Sequence, residues 1–147
     1  MDDIKILLVD DEEDFVSTLS ERLSLRDLNS QAASSGEEAL RFVGDHIPDI
    51  IVLDLKMPGI DGMEVLRRVK QHFPAIQVII LTGHGNDLDE GEARKLGAFD
   101  YLRKPVDIEL LVARIREAYQ ELKKSNRLSA VAFAEAGEFD TAVKLAN

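Results

Sequence analysis

Short apolar runs alternate along the chain with longer stretches in which apolar residues recur at helical spacing. Ile50-Ile-Val-Leu53 is an unbroken apolar run, β-branched at three of its four positions. Such a run predicts a strand buried on both faces, the habit of a parallel sheet covered by helices. Lys5-Ile-Leu-Leu-Val9 and Gln77-Val-Ile-Ile-Leu81 carry the same signature. Leu28 to Ala33 is more polar and suits an edge strand, and Phe99 to Arg103 makes a fifth.

The intervening stretches predict helices. Phe15, Val16, Leu19 and Leu23 mark the first, with acidic residues in its opening turn to suit the helix dipole. Ser34-Ser35-Gly36-Glu37-Glu38 offers two overlapping capping boxes ahead of a helix from Glu38 to Gly44. Met63, Val65, Leu66, Val69 and Phe73 mark a third helix, stopped before Pro74. Asn86 to Lys95 reads as a weakly amphipathic helix ending at Gly97. Val106-Asp107 opens a last helix with Leu110, Leu111, Ala113, Ile115, Ala118 and Leu122 on its apolar side. Five strand–helix units with crossovers of this length require parallel strands and right-handed connections. The pattern therefore predicts an α/β protein, a doubly wound five-stranded parallel sheet. A barrel would need eight units.

Composition narrows the function. A chain of 147 residues is long enough for one domain with its own core. A formal charge of −10, from 28 acidic and 18 basic residues, disfavours direct DNA binding, which rests on phosphate neutralisation. Without cysteine there is neither a disulfide framework nor a thiolate metal site, which fits a reducing cytoplasm. The run Ile6–Val9 is too short for a signal segment or a membrane span.

Candidate chemistry gathers at the strand ends. Asp10-Asp11, Asp54, Thr82 and Lys104 each follow or close a predicted strand, and in a parallel sheet those ends share one edge. Carboxylates brought to about 4 Å repel by about 4 kcal/mol per pair at an effective dielectric of about 20. A hard divalent cation with oxygen ligands would offset that repulsion. A hydroxyl and an ammonium facing it suit an anion, and the whole outlines phosphoryl transfer through an aspartyl phosphate.

Leu8-Val9-Asp10-Asp11-Glu12, Asp54-Leu-Lys-Met-Pro-Gly59, Thr82-Gly83 and Lys104-Pro105, taken together, resemble the receiver domain of bacterial two-component response regulators, the CheY-like fold. The resemblance covers about Lys5 to Leu122. It implies a flavodoxin-like strand order 2-1-3-4-5 and a receiver domain over residues 1–122, with residues 123–147 a helical extension. It implies Asp54 as phosphoacceptor from a sensor histidine kinase or a histidine phosphotransfer protein. Mg²⁺ would be held by Asp10, Asp11, Asp54 and the Lys56 backbone carbonyl, with Asp11 a direct ligand and Asp10 acting through water. Thr82 and Lys104 would hold the phosphoryl oxygens, Lys104 through a cis bond to Pro105. Thr82 and Tyr101 would form the switch, Tyr101 turning inward on phosphorylation. The face made by Leu88–Leu96, Phe99–Arg103 and the helix from near Asp107 would then meet a downstream protein partner. A homodimer through that face or through the extension fits the same picture. Lys56 and His84, two residues after Asp54 and Thr82, would tune dephosphorylation.

Other readings of single residues are weaker. Glu12, Glu13 and Asp14 suit the helix dipole alone. His46 and His72 lack zinc spacing, and Met57 and Met63 read as packing. Gly83-His84-Gly85 lacks the third glycine of a dinucleotide loop, and the acidic stretch from Asp87 has Ala98 where a calcium loop needs glutamate. An aspartyl-nucleophile phosphatase would place its nucleophile on the first strand. The receiver reading implies no turnover on a free substrate, hence no enzyme in that sense, and leaves room for a fragment of a larger regulator with an output domain beyond Asn147. Beyond Leu122, Leu128, Val131, Ala132 and Phe133 predict helix continuation, Gly137 a break, and Phe139 to Ala146 a second short helix.

Overall fold

The structure, a computed structural model, describes residues 3–135, with side chains described through Ser125. Five strands, β1 (Ile6–Val9), β2 (Ser30–Ala33), β3 (Ile50–Leu53), β4 (Gln77–Thr82) and β5 (Asp100–Arg103), alternate with five helices. These are α1 (Glu13–Ser24), α2 (Gly36–Asp45), α3 (Gly62–His72), α4 (Asp87–Lys95) and α5 (Ile108–Glu135). All pairings are parallel and the strand order is β2-β1-β3-β4-β5, as the resemblance implies.

β1, β3 and β4 are buried throughout because each strand, apart from Gln77 and Thr82 at the ends of β4, is apolar on both faces and each face is covered by helices. On one face Val16, Leu19 and Leu23 of α1 and Leu111, Ile115 and Ala118 of α5 pack on Ile6, Leu8, Val52 and Ile79. On the other, Ala39 and Val43 of α2, Val65, Leu66 and Val69 of α3, and Ala93 of α4 cover Leu7, Ile51, Val78 and Ile80.

The predicted boundaries move for identifiable reasons. β2 begins at Ser30 rather than Leu28, because the chain first closes α1 with a turn in which Asp27 takes a left-handed φ of 63°. Asp tolerates that conformation better than most residues. Leu28 itself is buried and donates its N–H to Leu23 O. At α2 only Ser35 caps, accepting from the Glu38 N–H, while the Glu38 carboxylate reaches back to Ser34. A reciprocal capping box does form, at α4, between Asn86 and Asp89. α5 runs past Leu122 without a break, so the extension begins as a continuation of that helix. Gly137 and the second short helix lie outside the described residues.

Candidate functional site

Strand register decides which side chains meet. Val9 pairs with Leu53 and Leu53 with Ile80, so Asp10 and Asp54 emerge side by side at the carboxyl rim. The ladder extends one step further: Asp54 N donates to Val9 O at 2.9 Å and Asp10 N to Ala33 O at 3.2 Å. Thr82 pairs with Arg103, and Lys104 N donates to Thr82 O at 3.0 Å. Asp10, Asp54, Thr82 and Lys104 thus occupy one rim, with Asp10, Asp54 and Thr82 all buried. A groove of about 760 Å³ lies at the opposite rim beside Ile4, Ser30 and His46, remote from these groups.

Asp10, Glu12 and Asp54 can each bring a carboxylate oxygen within 4.8 Å of the others. Asp11 is exposed and outside that trio. The reason is local: Asp10 Oδ1 accepts the Glu12 N–H at 2.9 Å, and this turn directs Glu12, rather than Asp11, back over the rim. Glu12, read from sequence only as a partner of the helix dipole, is thus also a member of the cluster.

The Lys104 ammonium faces the loop after β1. It donates to Asp10 Oδ2 at 2.6 Å and Glu12 Oε1 at 3.3 Å, and lies 4.0 Å from the centre of the Phe15 ring. Burial alone would lower its pKa, but the bond to Asp10, the charges of Asp10 and Asp54 and the bond to Glu12 together outweigh that and raise it. The Lys104–Pro105 bond is cis.

Asp54 differs from its neighbours. Both carboxylate oxygens are buried, and no donor reaches them in hydrogen-bonding geometry. Burial raises its pKa above the usual carboxylate value. The nearby Thr82 hydroxyl, Lys104 and the Lys56 N–H oppose that rise from outside bonding geometry, and Asp10 reinforces it. A buried carboxylate without donors is costly unless a ligand completes it. Two orphaned oxygens beside two further carboxylates are the donor set of a hard divalent cation, so the residues fit Mg²⁺.

Thr82 Oγ1 accepts the His84 N–H at 3.2 Å, while the His84 and Lys56 side chains are exposed at the rim. Tyr101 occupies the inward position, its ring buried in the core and its hydroxyl without a partner. Gly62 is a second residue whose part was not apparent from sequence. A Cβ there would overlap the Asp54 carbonyl, so α3 can begin directly against the phosphoacceptor candidate only with glycine at this position. No helix among the described residues is long and apolar enough to cross a membrane.

Known proteins agree with this geometry. Residues 6–116 match the response regulator receiver domain family. The DNA-binding transcriptional regulator NtrC of Salmonella typhimurium is 36% identical over 127 residues, 84% of this chain and 27% of that protein. The transcriptional regulatory protein CpxR of Escherichia coli K12 is 43% identical over 112 residues, 76% of this chain and 47% of that protein. A receiver domain crystal structure from Clostridium thermocellum superposes with a TM-score of 0.78 at 38% identity, covering 82% of this chain and 97% of that one. The chain thus spans between about a quarter and a half of the curated relatives. Receiver domains use Mg²⁺ at an acidic pocket and interact with histidine kinases, and they are signalling modules rather than metabolic enzymes. With the strand order, the acidic rim and the sequence match in agreement, the chain belongs to the response regulator receiver domain family.

Proposed function

We propose that this domain takes a phosphoryl group onto Asp54 from a phosphohistidine and relays the signal through a changed surface. The observation that carries the reading is the Asp54 carboxylate, buried and unpartnered between the Asp10–Lys104 pair and Thr82. An Asp54 oxygen attacks phosphorus, the P–N bond breaks, and its electron pair stays on the histidine nitrogen of the donor. Lys104 leaves Asp10 to hold the phosphoryl oxygens with the Thr82 hydroxyl. Mg²⁺, when bound, neutralises charge on the transferring group. Asp10, Asp54 and the Lys56 carbonyl would hold it, with Asp11 or Glu12 as the remaining carboxylate.

The donor is a sensor histidine kinase or histidine phosphotransfer protein in the cytoplasm. Thr82 and Tyr101 couple the site to the face of α4, β5 and α5, which meets a protein partner or a second copy. Lys56 and His84 set the lifetime of the acyl phosphate, and an unchanged hydrolysis rate in the double alanine variant would remove that role. The share of each relative that this chain spans favours a second element of the proposal, that the domain regulates an output segment in a longer protein. With a charge of −10, any DNA contact belongs to that segment.

Incubation with acetyl phosphate and Mg²⁺, followed by intact mass measurement, tests the central claim. Wild type should gain one phosphoryl mass, and fail to gain it when Mg²⁺ is chelated before mixing, while Asp54→Asn gains none. Equal gain in both proteins would overturn it.

A further inference from the structure

Tyr101 sits under a loop whose position is fixed from outside. The loop from Gly83 to Asn86 crosses directly above the Tyr101 hydroxyl, and a Cβ on Gly85 would overlap that oxygen and press on the Thr82 methyl. The buried ring and this course of the loop are therefore compatible only because residue 85 is glycine. Two residues along β5 from Tyr101, Arg103 reaches over the same loop. Its Nη1 donates to Gly85 O at 2.9 Å and its Nη2 to Asp87 Oδ1 at 3.3 Å, while its guanidinium lies 5.5 Å from the centre of the Tyr101 ring. Asp87 is fully exposed, so that ion pair contributes little. The Gly85 carbonyl bond and the cation–π contact with the ring remain, and a planar fork suits both at once.

We propose that Arg103 is a positioning residue that clasps the loop after β4 onto the inward Tyr101 ring, biasing this chain's aromatic switch toward its buried position. The clasp joins the three groups the switch must coordinate: the loop carrying His84, the strand carrying Tyr101 and the start of α4. It rests on the reading of Tyr101 as a switch. Without the clasp the loop keeps only the His84 N–H bond to Thr82 Oγ1 and the Asn86 cap, neither of which crosses to β5, and the ring gains room to leave.

The chain has two tyrosines and no tryptophan, so Tyr119→Phe leaves Tyr101 as the only strong emitter. Acrylamide quenching of its fluorescence then reads exposure of the ring directly. In that background Arg103→Ala should shift the inward-to-outward ratio by about fivefold, the scale of one net hydrogen bond, and raise quenching accordingly. Arg103→Lys, which keeps the charge without the fork, should behave like Arg103→Ala. Gly85→Ala should expose the ring with Arg103 intact, which covers the case of an Arg103 variant that folds poorly. Quenching unchanged in Arg103→Ala, restored to the parent value in Arg103→Lys, or unchanged in Gly85→Ala would each overturn the clasp. Mass measurement of acetyl phosphate labelling on the same samples keeps the two readings apart. A parent that takes no phosphoryl group speaks against the function of Asp54 and leaves the quenching result standing.

Discussion

α3 and α4 cover the same face of the sheet, yet they are attached to it very differently. α3 buries Gly62, Val65, Leu66 and Val69, begins against the Asp54 backbone, and is capped by the Asp61 side chain on the Glu64 N–H. α4 buries only Ala93. It leaves Leu88 84% exposed and carries Gly91 in mid-helix with open space around it. Its stability comes from local devices: the Asn86–Asp89 capping box, acidic residues in the first turn, and Arg94 and Lys95 in the last. Local stability in a protein follows buried apolar contact, so α3 belongs to the rigid frame of the site and α4 to the part that can be redirected. A phosphoryl switch needs both, a fixed acceptor and a neighbour held by only a few kilocalories.

The largest test of this contrast is at the core. Leu66→Ala removes a fully buried side chain and should cost about 2–5 kcal/mol in urea unfolding, whereas Leu88→Ala on exposed α4 should fall within about 0.5 kcal/mol of wild type. Comparable losses would erase the distinction between the two helices.

A matched glycine pair sharpens it. Gly62→Ala must push the new methyl into the Asp54 carbonyl and Leu55, and should destabilise by about 1–3 kcal/mol or more. Gly91→Ala meets nothing and gains helix propensity, so it should stabilise α4 by about 1 kcal/mol. Hydrogen exchange of the α4 amides reads the second effect as roughly fivefold slower opening. The same substitution thus carries opposite signs in the two helices; a loss at both positions would show α4 to be as tightly fitted as α3.

The smallest expected effect is confined to a pH window, and it concerns the acceptor that the rigid frame holds. Burial raises the folded pKa of Asp54 above its unfolded value of 3.8. Between those two values the folded state binds more protons than the unfolded state, so stability falls as pH rises through the window. Asp54→Ala should flatten that fall and leave the protein more stable at neutral pH, read as thermal midpoints across acid to neutral buffers. A neutral-pH loss in Asp54→Ala would mean that the carboxylate has partners the structure does not give it.

Much of this was legible in the sequence. β1, β3 and β4 announce themselves because strands covered on both faces are apolar at nearly every position. Their chemical ends are legible for the same reason, since Asp10, Asp54 and Thr82 close runs that are otherwise apolar but for Gln77 at the start of β4. β2 was less clear: Ser30-Gln-Ala-Ala33 is an edge strand with little to bury, and its start depended on the left-handed turn at Asp27. The inclusion of Glu12 in the acidic cluster was not legible, because it follows from a side chain bonding to the backbone two residues on.

What the sequence determined by itself is the alternation of elements and the residue types at each strand end, because periodicity and polarity are local properties. Only the tertiary structure decided which two of five consecutive acids meet Lys104, why residues 62 and 85 must be glycine, and that Arg103 reaches Gly85 across the rim. These are facts about non-neighbouring atoms competing for the same space, and spacing along the chain does not encode them.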